Sequence, residues 1–91
     1  MLSFKSFDEV IERANNHELG LSSYICTNSM DKAHRASELM ETGTVAVNTP
    51  LVALAEAPFG GIKQAGYGRE GGSMAIKDYL NVKYTHLGLK G

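Results

Sequence analysis

Ninety-one residues carry nine Lys and Arg, ten Asp and Glu and a formal net charge of -1, so no basic surplus or cluster exists to displace counterions from phosphates, and nucleic-acid binding is excluded as an electrostatic proposition. A chain this short makes one small domain at most, with a core that is marginal unless more chain or a partner completes it. Its apolar runs are only a few residues long, and Asp8 and Glu9 stand where a signal peptide would continue its apolar region, so no membrane role is expected and a cytoplasmic location follows by default.

Ser6 and Glu9 have the spacing of a capping box, in which each side chain accepts from the other's backbone N–H at a helix start. Phe7, Val10, Ile11 and Ala14 then recur at helical spacing, which predicts a helix over 7–15 with that stripe inward and Gly20 in the turn beyond it. The run "LSSYICT" predicts a strand over 21–27. In "NSMDKAHRASELMETG", Asn28 or Ser29 is available as an N-cap, Ala33, Ala36, Leu39 and Met40 form the buried side, and Gly43 stands where a left-handed C′ residue is favoured. "TVAVNT" predicts a second strand, and the β-α-β order favours a parallel pair with a right-handed crossover.

The character changes over 50–72, where two prolines and most of the glycines gather around "ALAEA", which reads equally as a helical turn or an extended loop. Ser73 to Leu80 predicts a helix with Ala75, Ile76 and Tyr79 inward, and "NVKYTHLG" alternates as a closing strand.

Gly66-Tyr67-Gly68-Arg69-Glu70-Gly71 matches the G-x-G-x-x-G pattern of dinucleotide loops, and a helix is predicted after it. That fingerprint also needs a strand delivering the first glycine and an acidic residue about twenty positions on; "IKQA" is a weak strand, and the required position is the last residue of the chain. The glycines therefore read as turn and close-packing residues. Cys26, between Ile25 and Thr27 and without a neighbouring His, reads as a small buried side chain; as the single cysteine it forms no internal disulfide, which agrees with a reducing compartment. His17, His34 and His86 lack ligand spacing for a metal. Lys63, Arg69 and Glu70 either bind an anion or pin the loop through ion pairs, the second being favoured. No catalytic constellation emerges from these residues.

"PFGGIKQAGYGREGG" followed by "AIKDYLNVKYTHLG", with "FDEVIERANNHELGLSSYICTNSMDKAHRASELMETGTVAVNT" before it, closely resembles the C-terminal end of the aldehyde dehydrogenase superfamily. The resemblance implies an α/β fold, namely a fragment of the aldehyde dehydrogenase catalytic domain (β-α-β unit, residues 1–80, including a substrate-mouth and glycine loop at 50–72) plus a C-terminal oligomerisation strand and tail at 81–91. It implies oxidation of an aldehyde by a cysteine thiolate, a glutamate base and NAD or NADP, all lying outside this region. Neither Cys26 nor Glu70 matches the motif of the family's nucleophile or base, so the chain alone is expected to be inactive and to bind no cofactor or metal. By the same resemblance Leu51, Ala53 and Phe59 stand at substrate-binding wall positions, and the final strand implies a homo-oligomer.

"AEAPFGGIKQAGYGREG" and "IKDYLNVKYTHLG" look most like the succinate-semialdehyde dehydrogenase branch. Two positions depart from it: Ala53 and Leu54 stand where that branch commonly has a substrate-holding serine, and Leu19 stands where an aromatic residue is frequent. The alternative expectation is a stand-alone protein derived from the family, which uses the same strand to self-associate or to bind a full-length enzyme.

Overall fold

The structure is a computed structural model and describes residues 1–90. Helix α1 spans Phe7–Asn15 and starts as its sequence dictates: Ser6 is extended and its Oγ accepts from the Glu9 N–H at 3.1 Å. The reciprocal half of the capping box differs from expectation, because the Glu9 carboxylate accepts from the N–H of Lys5 at 2.8 Å, one residue earlier. Phe7, Val10 and Ile11 are half-buried, while Ala14 is exposed and lies off the packed side. The Arg35 guanidinium covers the Phe7 ring at 4.5 Å.

Strands β1 (Leu19–Gly20) and β2 (Ser22–Ile25) follow, then helix α2 (Met30–Leu39) and strand β3 (Thr44–Val47). Of the two candidate caps, Ser29 caps α2, its Oγ accepting from the Lys32 N–H. Strands β2 and β3 pair in parallel, Ser22 opposite Thr44 through Ile25 opposite Val47, with α2 between them in sequence. Gly20, predicted in a turn, instead belongs to β1, which pairs antiparallel with β4 (Ile62–Lys63). A side chain there would press on the Glu41 carbonyl and on Ile62, so this antiparallel pair closes only over a glycine.

Two elements near the end of the chain depart from expectation. The predicted helix over 73–80 is a five-residue 3₁₀ turn, Ala75–Tyr79, with no side chain capping it; Ile76 and Tyr79, expected inward, are 62% and 87% exposed. So short a segment gains too few hydrogen bonds to hold an α-helix without a packed face. The predicted closing strand has no partner: residues 81–90 carry no regular structure and are exposed throughout. Alternation supplies the pattern of a strand, but a strand needs a neighbour to accept its hydrogen bonds. Gly91, the last position of that predicted tail, lies outside the described residues.

The interior is small. Among the described residues the buried hydrophobic side chains are Ala36 and Ala46, joined by Ser23. Thr42 spends its hydroxyl proton on the Thr44 carbonyl, so Ser23 is the donor in the 2.9 Å contact between the Ser23 and Thr42 hydroxyls. The radius of gyration is 18.9 Å, against about 12 Å for a compact chain of this length, and the extents are 74 × 24 × 21 Å. No described helix is long and apolar enough to cross a membrane.

Candidate functional site

The irregular segment between β3 and the 3₁₀ turn is held by its own backbone and by a few long polar side chains. Phe59 and Glu70 form an isolated antiparallel bridge, each N–H donating to the other's carbonyl at 2.7 Å. Ala57 N donates to Leu54 O at 3.2 Å, which closes the "ALAEA" stretch as a turn, and Gly72 N donates to Ala55 O at 2.8 Å, which ties that turn to the end of the glycine-rich loop. Within this hairpin-like loop Gly60 and Gly61 are buried. A Cβ on Gly60 would collide with the Gly68 carbonyl and the Arg69 side chain. The close packing of glycines is thus the observed reason for several of them, while Gly66, Gly71 and Gly72 supply positive φ.

Arg69 closes this loop from inside. Its Nη1 donates to the carbonyls of Gly61 at 2.7 Å, Gly68 at 3.0 Å and Tyr67 at 3.4 Å. Its backbone N–H donates to the Asp78 carboxylate at 2.9 Å, tying the loop to the 3₁₀ turn. Of the two readings for Arg69, pinning of the loop is the one seen, through carbonyls in place of an ion pair.

Lys63 is a second clasp. Its Nζ donates to the Asn15 and His17 carbonyls at 3.1 and 3.2 Å and to the Glu41 carboxylate at 2.6 Å, filling all three donor positions. The ammonium therefore sits on the carbonyl end of α1, where the helix dipole favours positive charge. The contacts also offset the left-handed φ of 57° at Lys63, a conformation costing about 1–2 kcal/mol for a residue with a side chain. Asn15 completes the node: its Nδ2 donates to Leu39 O and its Oδ1 accepts from Glu41 N, both at 2.8 Å, so the ends of α1 and α2 are stitched together.

Of the three wall positions, Phe59 is half-buried and set by its bridge to Glu70, whereas Leu51 is 78% exposed and Ala53 is exposed on the preceding segment. Two shallow open hollows lie elsewhere, around Lys63, Gln64 and Tyr67 and around Asn16 to Leu19; neither includes Leu51, Ala53 or Phe59. Cys26, expected to be buried, is exposed: it follows β2 on the same face as Tyr24, which is also exposed because nothing in the fold covers that side. No described group of three or more His, Cys, Asp or Glu residues could hold a metal ion.

The glycine pattern does not fit a dinucleotide. Only the two-residue β4 precedes Gly66, and the chain after Gly71 makes a turn and a 3₁₀ segment, so the helix N-terminus that would receive a pyrophosphate does not form. The helix expected at that point is thus replaced by a 3₁₀ turn.

Sequence reasoning passed over Asn15, Glu41 and Asn48. Asn48 had a readable signal, since an Asn closing a strand and followed by Thr-Pro suits a left-handed exit; its φ is 57°. Asn15 and Glu41 act through contacts 24 to 26 residues apart in sequence, which no local pattern encodes.

Comparison with known proteins gives this arrangement a context. The aldehyde dehydrogenase family matches residues 1–85. The chain is 49% identical over 88 residues to 3-sulfolactaldehyde dehydrogenase of Pseudomonas putida, covering 97% of this chain and 18% of that protein. It is 43% identical over 88 residues to the mitochondrial succinate-semialdehyde dehydrogenase of Arabidopsis thaliana, covering 97% of this chain and 17% of that one. The fold superimposes on the NAD+ complex of an aldehyde dehydrogenase from Bacillus cereus with a TM-score of 0.86 at 45% identity, over 90% of this chain and 17% of that structure. The chain thus spans under a fifth of the length of the relatives it matches.

Proposed function

The chain belongs to the aldehyde dehydrogenase family, and on that premise we propose that it is the C-terminal part of an NAD(P)-dependent enzyme that oxidises an aldehyde to a carboxylic acid. The observation that carries this reading is the mismatch between a nearly absent interior and the apolar surface left open. Ala36 and Ala46 are buried, while Leu54, Leu80, Val82 and Leu87 are 59% exposed or more. A two-stranded parallel pair with both outer edges open is likewise a part of a sheet, since parallel sheets are stable when covered on both faces and extended by neighbours. Surfaces of this kind suit a segment that packs into a larger catalytic domain.

Within that enzyme the segment 50–72 contributes substrate-tunnel wall through Leu51, Ala53 and Phe59, and residues 81–90 contribute a strand that pairs with another subunit. The nucleophile, the base and the NAD or NADP site lie in other parts of the polypeptide. The substrate is a semialdehyde or a related short aldehyde. Ala53 and Leu54 offer no side-chain donor, Arg69 turns its Nη1 toward backbone carbonyls and Lys63 spends all its donors within the fold, so none of these groups holds an acidic end of the substrate.

The test is a graft in which this chain replaces the matching 88-residue segment of the Pseudomonas putida 3-sulfolactaldehyde dehydrogenase. The reading expects an assembled, active enzyme whose aldehyde KM responds to Leu51→Ser and Ala53→Ser. A folded graft without aldehyde oxidation would overturn it.

A further inference from the structure

We propose that Asn48 is a positioning residue that sets the direction in which the substrate-mouth loop leaves the sheet; this rests on the reading of Leu51 and Ala53 as tunnel wall. Asn48 does two things at once. Its backbone N–H donates to Ile25 O at 2.8 Å, the last main-chain rung between β3 and β2. Its side chain then adds a rung of its own, Oδ1 accepting from Thr27 N and Nδ2 donating to Thr27 O, both at 2.9 Å.

While the amide continues the ladder, a φ of 57° turns the main chain out of it toward Thr49 and Leu51. The next fixed point is close, Leu51 N donating to Thr49 Oγ1 at 3.1 Å. Thr27 is itself anchored: its Oγ1 accepts from Ser29 N at 3.1 Å, and Ser29 caps α2. The root of the loop is therefore fixed to the β2–α2 corner and not to the loop's own glycine-rich half.

No other side chain meets both requirements. Glycine supplies the backbone angle without the amide, and aspartate supplies the acceptor but sets a carboxylate oxygen against the Thr27 carbonyl. Alanine supplies neither. Losing the clamp frees the exit direction, so Leu51 and Ala53 sample more positions, and the cost falls on binding of the aldehyde more than on the chemical step or the cofactor.

The experiment compares Asn48→Gly and Asn48→Asp with Leu51→Ser and Ala53→Ser in the grafted enzyme. Asn48→Gly is expected to raise the aldehyde KM about three- to tenfold with kcat within about twofold and the cofactor KM unchanged. It is also expected to speed hydrogen exchange at the Thr27 amide. Asn48→Asp, which keeps the acceptor for that amide but sets a carboxylate against the Thr27 carbonyl, also raises the aldehyde KM selectively. An unchanged aldehyde KM in Asn48→Gly, with Leu51→Ser or Ala53→Ser moving it, overturns the role of Asn48 and leaves the tunnel wall standing. A joint loss of kcat and rise of both KM values overturns it in favour of a general structural role. If neither Leu51→Ser nor Ala53→Ser moves the aldehyde KM, the tunnel-wall reading fails and takes the proposal with it. Should Asn48→Gly not fold, Asn48→Asp decides by the same selective change in aldehyde KM or its absence.

Discussion

Gly43 faces the carbonyl of Gly60 at a distance no Cβ could tolerate, with Gly60 C and Gly61 Cα just behind it. The residue just before β3 and the glycine-rich loop thus meet backbone to backbone, and the loop's position depends on an absent side chain. Gly43→Ala is expected to destabilise the grafted enzyme by about 1–3 kcal/mol through overpacking. Gly66→Ala meets open space but keeps a φ of 106°, so it should cost about 1 kcal/mol through backbone conformation alone. Urea midpoints of the two variants check the order; a Gly43→Ala variant as stable as the parent would refute the close contact.

Lys63 and Glu41 form the shortest ion pair in the fold, yet their removal is expected to differ. Lys63→Met leaves the Asn15 and His17 carbonyls and the Glu41 carboxylate without their donor, and should cost about 1–3 kcal/mol. Glu41→Gln leaves the two carbonyl contacts in place, and the Glu41 side chain is 53% exposed, so its loss should stay below about 1 kcal/mol. Denaturation of both variants, repeated at high salt, separates the two contributions.

The Thr44 hydroxyl is buried with no hydrogen-bond partner among the described residues. Replacing it with a methyl group removes an unsatisfied polar atom while nearly preserving shape. Thr44→Val is therefore expected to leave stability unchanged or raise it by up to about 1 kcal/mol. A loss of stability in the grafted enzyme would mean that the hydroxyl finds its partner in the surrounding domain.

If residues 81–90 pair across subunits as an extended strand, charges placed on both of its faces, at Val82 on one and Leu87 on the other, should loosen assembly. Val82 and Leu87 are 102% and 76% exposed here. Val82→Lys combined with Leu87→Lys is expected to raise the subunit dissociation constant of the grafted enzyme at least about tenfold, close to 1.4 kcal/mol. Sedimentation over a range of concentrations reads this directly, and an unchanged constant would remove the tail from the interface.

The elements legible in the sequence were those whose signals are local. Ser6 with the stripe Phe7, Val10, Ile11 and Ala14 marks the first helix, although Ala14 is exposed; Asn28 or Ser29 marks the start of the second, Ser29 being the cap; and the Thr-Val-Ala-Val run marks β3. What stayed hidden was set by distant contacts. Gly43 looked like a helix C-cap, but α2 ends at Leu39 with Met40 extended, and Gly43 is small because Gly60 lies against it. The helix predicted at 73–80 had the apolar residues but nothing within the chain to pack them against. At the candidate site, Lys63 and Arg69 stood out as charges in a glycine-rich loop, but their partners are mostly backbone carbonyls, which every residue type carries and no sequence pattern distinguishes.

On the proposed reading, this chain supplies structure and substrate wall to a dehydrogenase whose chemistry resides elsewhere in the polypeptide. The most direct measurement is aldehyde-dependent formation of NADH or NADPH by the purified 91-residue chain, with the grafted enzyme assayed beside it on succinate semialdehyde and 3-sulfolactaldehyde. Turnover is expected from the graft, and none above the uncatalysed rate from the chain alone. Sustained turnover by the isolated chain would contradict that reading, because a nucleophile and a cofactor site would then have to exist within these residues.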